Sequence, residues 1–327
     1  MRGFNRLASR LRRGRRSADQ RFGPATLDRG IRLADGFSPE VLLTRHQGRP
    51  IPVLTDPPLI RAASLDAVAD EPVLGIESDG EARAYPLAAM FRSHIANDRI
   101  GSRPILVAFC GKCFSGVGFD PLVGGDRLTF QVFGVYRGAF AMWDDQTGTI
   151  WSELSGEAVA GHHAGRRLPL LPTEITTLQR WVDRYPDSSA PAVRIEGVQR
   201  PVPQLPGDSA PWWMSVPEPD ERLPLGSLVL GVELPDRSRA YPVERDRPEP
   251  YLLQDDVGDT PIVLLSEPGS LPLAYERRHE GIVLELRLEH GRILDQRGME
   301  WSGRGRAIDD GAAQLPFTEI AAIPRTS

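Results

Sequence analysis

Cysteine is nearly absent from this 327-residue chain, which has two, Cys110 and Cys113. One pair cannot make a disulfide scaffold, so the fold must rest on its core. Also missing is any apolar run of roughly 18 residues, the length that reads as a transmembrane helix. The stretch from Met1 to Arg16 is basic and lacks the apolar segment of a secretory signal, and no apolar run follows Arg15-Arg16. The expectation is a cytoplasmic protein with no transmembrane segment, export staying open if the start is misassigned. Charge of one sign is not in excess. A net charge of −5 gives no reason to expect nucleic acid as a partner. Walker loops, G-x-G-x-x-G, G-x-S-x-G and H-E-x-x-H are absent, so no nucleotide cofactor is expected.

Long helical stripes are scarce as well. Glycine (32) and proline (30) are abundant, and valines and aromatics come in short runs. That composition predicts many short strands joined by turns. The expected fold class is mainly β: two tandem, related antiparallel units, each a small sandwich or open barrel, with a few short helices. The divisions read as a basic tail over 1–22, an N-terminal strap over 23–72, a first β unit over 73–186, a proline-rich linker over 187–226 and a second unit over 227–327.

In the tail, Arg6, Arg10 and Arg13 share a helical face, which suits either a solvated arm or a weak contact with a membrane surface or nucleic acid. Ile60 to Val68 suggests a short helix. Val73–Glu77 and Glu81–Tyr85 read as strands around an Asp79-Gly80 hairpin turn. Pro86 opens a short helix over Leu87–Ile95, and Asn97–Gly101 reads as a turn. Further strands are expected over Arg127–Phe133, Phe140–Trp143 and Ile150–Leu154. Thr173–Tyr185 carries the best helical pattern, with Ile175, Leu178 and Val182 on one face and Pro186 as the stop. In the linker, Pro211-Trp-Trp-Met-Ser is a sticky spot expected to tuck into a domain surface.

At Val229 the sequence starts again. Val229 to Pro242 aligns without gaps on Val73 to Pro86, sharing Val, Leu, Gly, Glu, Arg, Ala, Tyr and Pro. Val257–Ile262 follows Ile100–Ile105, Asp295–Ser302 follows Asp145–Ser152, and Leu315–Ile320 echoes Leu171–Ile175. The reading is a duplication of one β-rich unit. Residues common to both copies serve the shared fold; residues in one copy only are free to serve chemistry. Where the first copy has Cys110, Cys113 and His94, the second has Glu267, Ser270 and Tyr251. Glutamate and serine beside a Pro-Gly turn place that position near solvent, at a loop mouth.

The run Ile105–Phe109 reads as a buried strand leading into Cys110-Gly-Lys-Cys113, where Gly111 and Lys112 make a tight turn. Two thiols across such a turn point at one spot and suit a metal ion or a dithiol/disulfide couple. The glycines in Phe114-Ser-Gly-Val-Gly-Phe119 argue against the helix that a thioredoxin-type motif opens. His94 would complete a three-ligand set for zinc or Cu(I), or act as a base; the alternative is a histidine at a helix C-terminus. Lys112 either lowers the thiol pKa values or is a solvated turn residue. Asp144, Asp145 and Glu153 offer an acid/base pair or a hard ligand; Asp145 recurs as Asp295, which favours turn capping. Trp151 and Trp301 recur and belong to the two cores. Tyr136-Arg137 is a surface pair or an anion contact, and His162-His163 a solvated loop pair or a weak metal site.

The first copy resembles the bacterial family named domain of unknown function 3179. The resemblance rests on Val73–Glu77 with Ala82–Pro86, His94 with Asn97-Asp98, Cys110-x-x-Cys113, Asp145–Ser152, and Ser155–Ala158. The second copy looks like a degenerate member. The resemblance implies that His94, Cys110 and Cys113 form a set, and it names no reaction. The family pattern often has proline after the first cysteine, where this chain has Gly111, and many members look exported. The expected function is a metal-binding (zinc or copper) or thiol-redox protein with its site at His94, Cys110 and Cys113. The alternative is a non-catalytic β scaffold that presents loops to a partner. The partner itself is an unspecified small molecule or protein.

Overall fold

The computed structural model describes residues 22–24, 27, 30–45, 50–111, 114–194, 222–224, 227–234, 237–244, 247–305, 307–308, 318–320 and 322–326. The chain is mainly β, with α-helices over Leu87–Ser93 and Leu178–Arg184 among the described residues.

One strand, Arg103–Cys110, lies at the middle of the first unit. It pairs antiparallel with Ile95–Ile100 on one side and with Ser115–Phe119 on the other. Both its faces are covered. Leu106, Ala108 and Cys110 point into one cluster with Phe130, Phe140, Met142 and Trp151. Ile105, Val107 and Phe109 point into a second with Leu74, Ile76, Tyr85 and Met90. A strand covered on both sides needs an unbroken apolar run, which Ile105–Phe109 supplies. Each large side chain so buried contributes about 1.5–3 kcal/mol. The first face packs on a six-stranded sheet in the order 22–24, 42–45, 130–136, 139–144, 150–152, 158–160. The second packs on a sheet that contains Pro72–Ser78 and Glu81–Pro86. There the approach is close: a methyl on Gly116 would come within 2.8 Å of Leu74, and one on Gly118 within 2.9 Å of Ile76.

The 50–72 region is woven into these sheets. Leu54–Thr55 pairs parallel with Ile95–Ile100, and Leu59–Arg61 pairs antiparallel with Ser189–Pro191. The Asp79-Gly80 turn forms as expected, with φ of 54° and 82° at its two central residues.

Several local expectations change. The Ile60–Val68 helix is instead the Leu59–Arg61 strand followed by a 3-10 turn over Ala62–Ser64. Thr173–Tyr185 divides into a strand, Glu174–Thr177, and a helix, Leu178–Arg184. β-branched Ile175, Thr176 and Thr177 find a strand partner in Pro72–Leu74, and this pairing outweighs the helical period. The Thr177 side chain then accepts from Arg180 N and caps the helix. The earlier helix ends at Ser93, and Asn97 and Asp98 sit inside the Ile95–Ile100 strand rather than in a turn. Their side chains are buried because they have interior partners. Asn97 brackets Phe130, donating to its carbonyl (3.0 Å) and accepting from its N–H (2.7 Å). Asp98 accepts from the Tyr85 hydroxyl at 2.8 Å and pairs with Arg83 at 2.8 Å.

Among the described residues, the second half has shorter sheets whose strands follow one another in the order of three runs of the first half's ladders. Ser238–Pro242, Leu228–Glu233 and Ala322–Thr326 form one sheet; Tyr251–Val257, Thr260–Ser266, Leu273–Glu276 and Thr318–Ile320 another. A third runs through Arg287–Glu289, Arg292–Leu294, Glu300–Trp301 and Ala307–Ile308. Its polar links match too. Gln254 brackets Leu286 as Asn97 brackets Phe130, and Tyr241 and Arg239 reach Asp255 as Tyr85 and Arg83 reach Asp98. Trp151 and Trp301 are buried in their respective cores. The halves meet through Arg304 with Glu174 and Arg180 with Ser270. No described helix is long and apolar enough to cross a membrane. The basic tail to Arg16 and the Pro211-Trp-Trp spot lie outside the described residues.

Candidate functional site

Cys110 ends the central strand and is disulfide-bonded. The sequence has one other cysteine, Cys113; it and Lys112 lie outside the described residues. Cys110 is only 6% exposed, which corrects the expected loop-mouth position. It is buried because its face of the strand closes the cluster around Phe140 and Trp151.

His94 sits where the short helix turns into a strand, with φ 60° and ψ −34°. A non-glycine residue at positive φ is strained by about 1–3 kcal/mol, and such strain clusters at working sites. Its N–H donates to Met90 O at 2.6 Å, closing the helix. Its carbonyl accepts from Phe109 N at 2.8 Å, so the His94 backbone lies beside the residue that precedes Cys110. The imidazole stacks on Phe91 (6.5 Å between centroids) and meets Phe140 edge-on (5.8 Å). Phe91 in turn covers Gly111, where a methyl would run into the ring. Phe140 shares its cluster with Cys110. Phe91 is thus a neighbour of both the imidazole and Gly111, and Phe140 links the imidazole to the core cluster that holds Cys110. Phe114, just past the motif, also takes a positive φ of 51° and packs edge-on against Phe109 at 5.9 Å.

Across the hairpin, Ser115 is the register partner of Cys110. Paired residues in an antiparallel ladder share a face, with Cβ atoms about 5 Å apart. Beside them lies a carboxylate: the Ser115 hydroxyl reaches both Glu153 oxygens, at 2.9 and 3.1 Å. Ser115 and Glu153 are both 0% exposed. Glu153 N donates to Phe140 O at 3.2 Å, which ties the acid to the strand whose ring meets His94. The three acids grouped by the sequence therefore separate. Asp144, not Asp145, caps the turn, accepting from Thr147 N and from Trp151 Nε1 at 2.9 Å; in the second half Asp295 takes the same place, accepting from Trp301 Nε1. Asp145 accepts from Thr129 and Gln131. A sequence signal did mark Glu153. The Asp145–Ser152 block recurs, but the next residue is Glu153 in one copy and Gly303 in the other. Gly303 lies against the Ser266–Glu267 backbone, where a methyl would be 2.5 Å from Glu267 N. That is the strand end aligned with Cys110.

The other candidates sit elsewhere. The His163 ring tilts on Trp151 at 5.8 Å and on His162 at 4.7 Å, and burial lowers its pKa below the ordinary histidine value, with Asp144 opposing. Tyr136 stacks on Phe37, and Arg137 forms the hairpin corner with its guanidinium 5.6 Å from the Tyr136 ring. Among the described residues no group of three or more His, Cys, Asp and Glu is placed to hold a metal ion; Cys113 is not among them. A separate cleft of about 700 Å³ opens at the seam between the halves, lined by Glu77, Glu174, Trp181, Arg184, Tyr275 and Arg304 among others.

A family model described as "Protein of unknown function (DUF3179)" matches residues 49–325. No curated protein and no solved structure matches the chain.

Proposed function

Since the chain belongs to the DUF3179 family, whose description names no activity, we propose its function from the geometry: a thiol–disulfide redox centre formed by Cys110 and Cys113, with His94 beside it. The observation that carries this reading is the disulfide state of Cys110 at the rim of a strand buried on both faces. A disulfide closing so short a loop stabilises little, about 2 kcal/mol by chain entropy. A structural staple gains more from a long loop, so this link is better suited to opening and closing. In a cytoplasmic protein, the compartment we propose, a disulfide is more often a working group than a fixed brace. His94 supplies an imidazole that can stabilise a thiolate or move a proton. In the reduced state the same three residues make a zinc or Cu(I) set, and that is the second reading.

We also propose that the chain is one β unit doubled, with chemistry kept in the first copy. The matching ladder orders and the Tyr-Arg-Asp and Asn/Gln brackets support this.

The test uses untagged full-length protein. Thiol titration and metal analysis are followed by equilibration in glutathione buffers of graded potential. The expected result is a reversible two-electron couple that is lost in Cys110→Ser. Stoichiometric zinc or copper that disappears in the same variant favours the metal reading. A metal-free chain whose thiols do not equilibrate leaves the scaffold reading standing.

A further inference from the structure

We propose that Glu153 is a proton relay for Cys110, acting through the hydroxyl of Ser115; this rests on the redox reading above. Three observations carry it. A glutamate 0% exposed directly precedes Leu154, which packs on the core cluster that holds the disulfide-bonded Cys110. Its two oxygens are bound by the hydroxyl of the residue directly across the ladder from that cysteine. The second half, which lacks the cysteines, has Gly303 at the position of Glu153 and packs that glycine onto the strand end corresponding to Cys110. The acid is present where the sulfur is, and absent where it is not.

The chemistry explains the need. Burial disfavours a thiolate, and Cys110 is too enclosed to exchange its proton with bulk water readily. When a dithiol substrate reduces the centre, its thiolate attacks the Cys113 sulfur. A substrate–Cys113 bond forms, the Cys110–Cys113 bond breaks, and Cys110 leaves with the electron pair. Ser115 passes its hydroxyl proton to that sulfur and takes one from the Glu153 carboxyl. The second substrate thiol then loses its proton to water and attacks the mixed disulfide, and Cys113 departs as a thiolate that water protonates, while the buried Glu153 stays ionised until the reverse step returns its proton. Two electrons move from the substrate dithiol to the cysteine pair; the Cys110 proton comes from Glu153 and the Cys113 proton from water, and the substrate leaves as a disulfide, its two protons having passed to water. In the oxidising direction the same path removes the proton from Cys110. The substrate class is thus a dithiol or a disulfide, small or carried on a protein.

The experiment measures reduction of the full chain by dithiothreitol as a function of pH. Glu153→Gln keeps the shape and the hydrogen bond to Ser115 but removes the titrating group. The expected result is a loss of rate of about 100-fold, within the range for one acid–base group, with one ionisation missing from the pH profile. Ser115→Ala removes the bridge and is expected to give the same two signatures. If Glu153→Gln does not fold, Ser115→Ala and the infrared spectrum of the wild type decide. Reduction must then make a carboxyl C=O band appear or vanish. Wild-type rate and profile in the folded variants, or no carboxyl change in that spectrum, overturns the relay while leaving the redox centre intact. A wild-type chain that does not react with dithiothreitol overturns both.

Discussion

Asp98→Ala and Asp255→Ala remove the same carboxylate from the same three-residue link in the two halves, yet they should differ sharply. In the first half, Arg83 and Asp98 are each 5% exposed and stand 2.8 Å apart. Asp98 also accepts from Tyr85 at 2.8 Å and from Arg99 N at 2.8 Å. Burial, and then the Asp98 charge, holds the Tyr85 hydroxyl pKa well above its usual value. Removing Asp98 leaves a guanidinium in the interior with only neutral partners, Ser189 and the Arg99 carbonyl. Breaking a buried pair in this way costs about 3–5 kcal/mol. In the second half, Arg239 is 48% and Asp255 30% exposed, so water can replace the carboxylate. Water screens the exposed pair, which then contributes little, and the Tyr241 hydrogen bond contributes about 1 kcal/mol. The difference between the variants should therefore be at least about 1 kcal/mol. At a urea slope of roughly 1–3 kcal/mol per molar, it separates the midpoints by several tenths of a molar or more. Urea titration followed by circular dichroism gives the midpoints. Hydrogen exchange assigns each loss to the half that carries the substitution. Equal costs for the two variants would refute the reasoning that burial, not the link itself, sets the energy.

Two further outcomes follow from the structure. Gly111→Ala forces a methyl into the Phe91 ring. It should destabilise by about 1–3 kcal/mol and, by displacing the ring that also meets His94, alter the dithiothreitol rate; a variant unchanged in both urea midpoint and rate would remove Phe91 as the link. Acid should loosen the seam between the halves. Burial raises the Glu174 pKa, but Arg304 and then Arg184 outweigh it, so the folded carboxyl lies below its ordinary 4.5. A depressed folded value means the stabilisation is complete above that ordinary value and is lost as pH falls through the folded one. Proteolysis at the seam should rise in that acidic window, and Glu174→Gln should show the loosened seam already at neutral pH. A wild-type seam that stays closed through the acid range would count against the pairing.

Much of the strand pattern was legible because it is local. Ile105–Phe109 announces a buried strand by its unbroken apolar run, and Asp79-Gly80 announces its turn by the positive φ both positions take. Thr173–Tyr185 was not legible. Its helical period is real, but Glu174–Thr177 is claimed by a strand a hundred residues earlier, and no local signal records that partner. The polar Asn97 and Asp98 misled for the same reason, their partners being Phe130, Tyr85 and Arg83.

By itself the sequence determined the β-rich class, the family, and the closeness of two cysteines, since covalent spacing and side-chain alternation act over a few residues. Only the tertiary structure decided that Cys110 faces inward, that the Phe91 ring joins His94 to Gly111, and that Glu153 lies beside Ser115. The physical reason is that a charge or a ring owes its role to whatever packs against it. In a sheet fold those neighbours arrive from strands far apart in the chain.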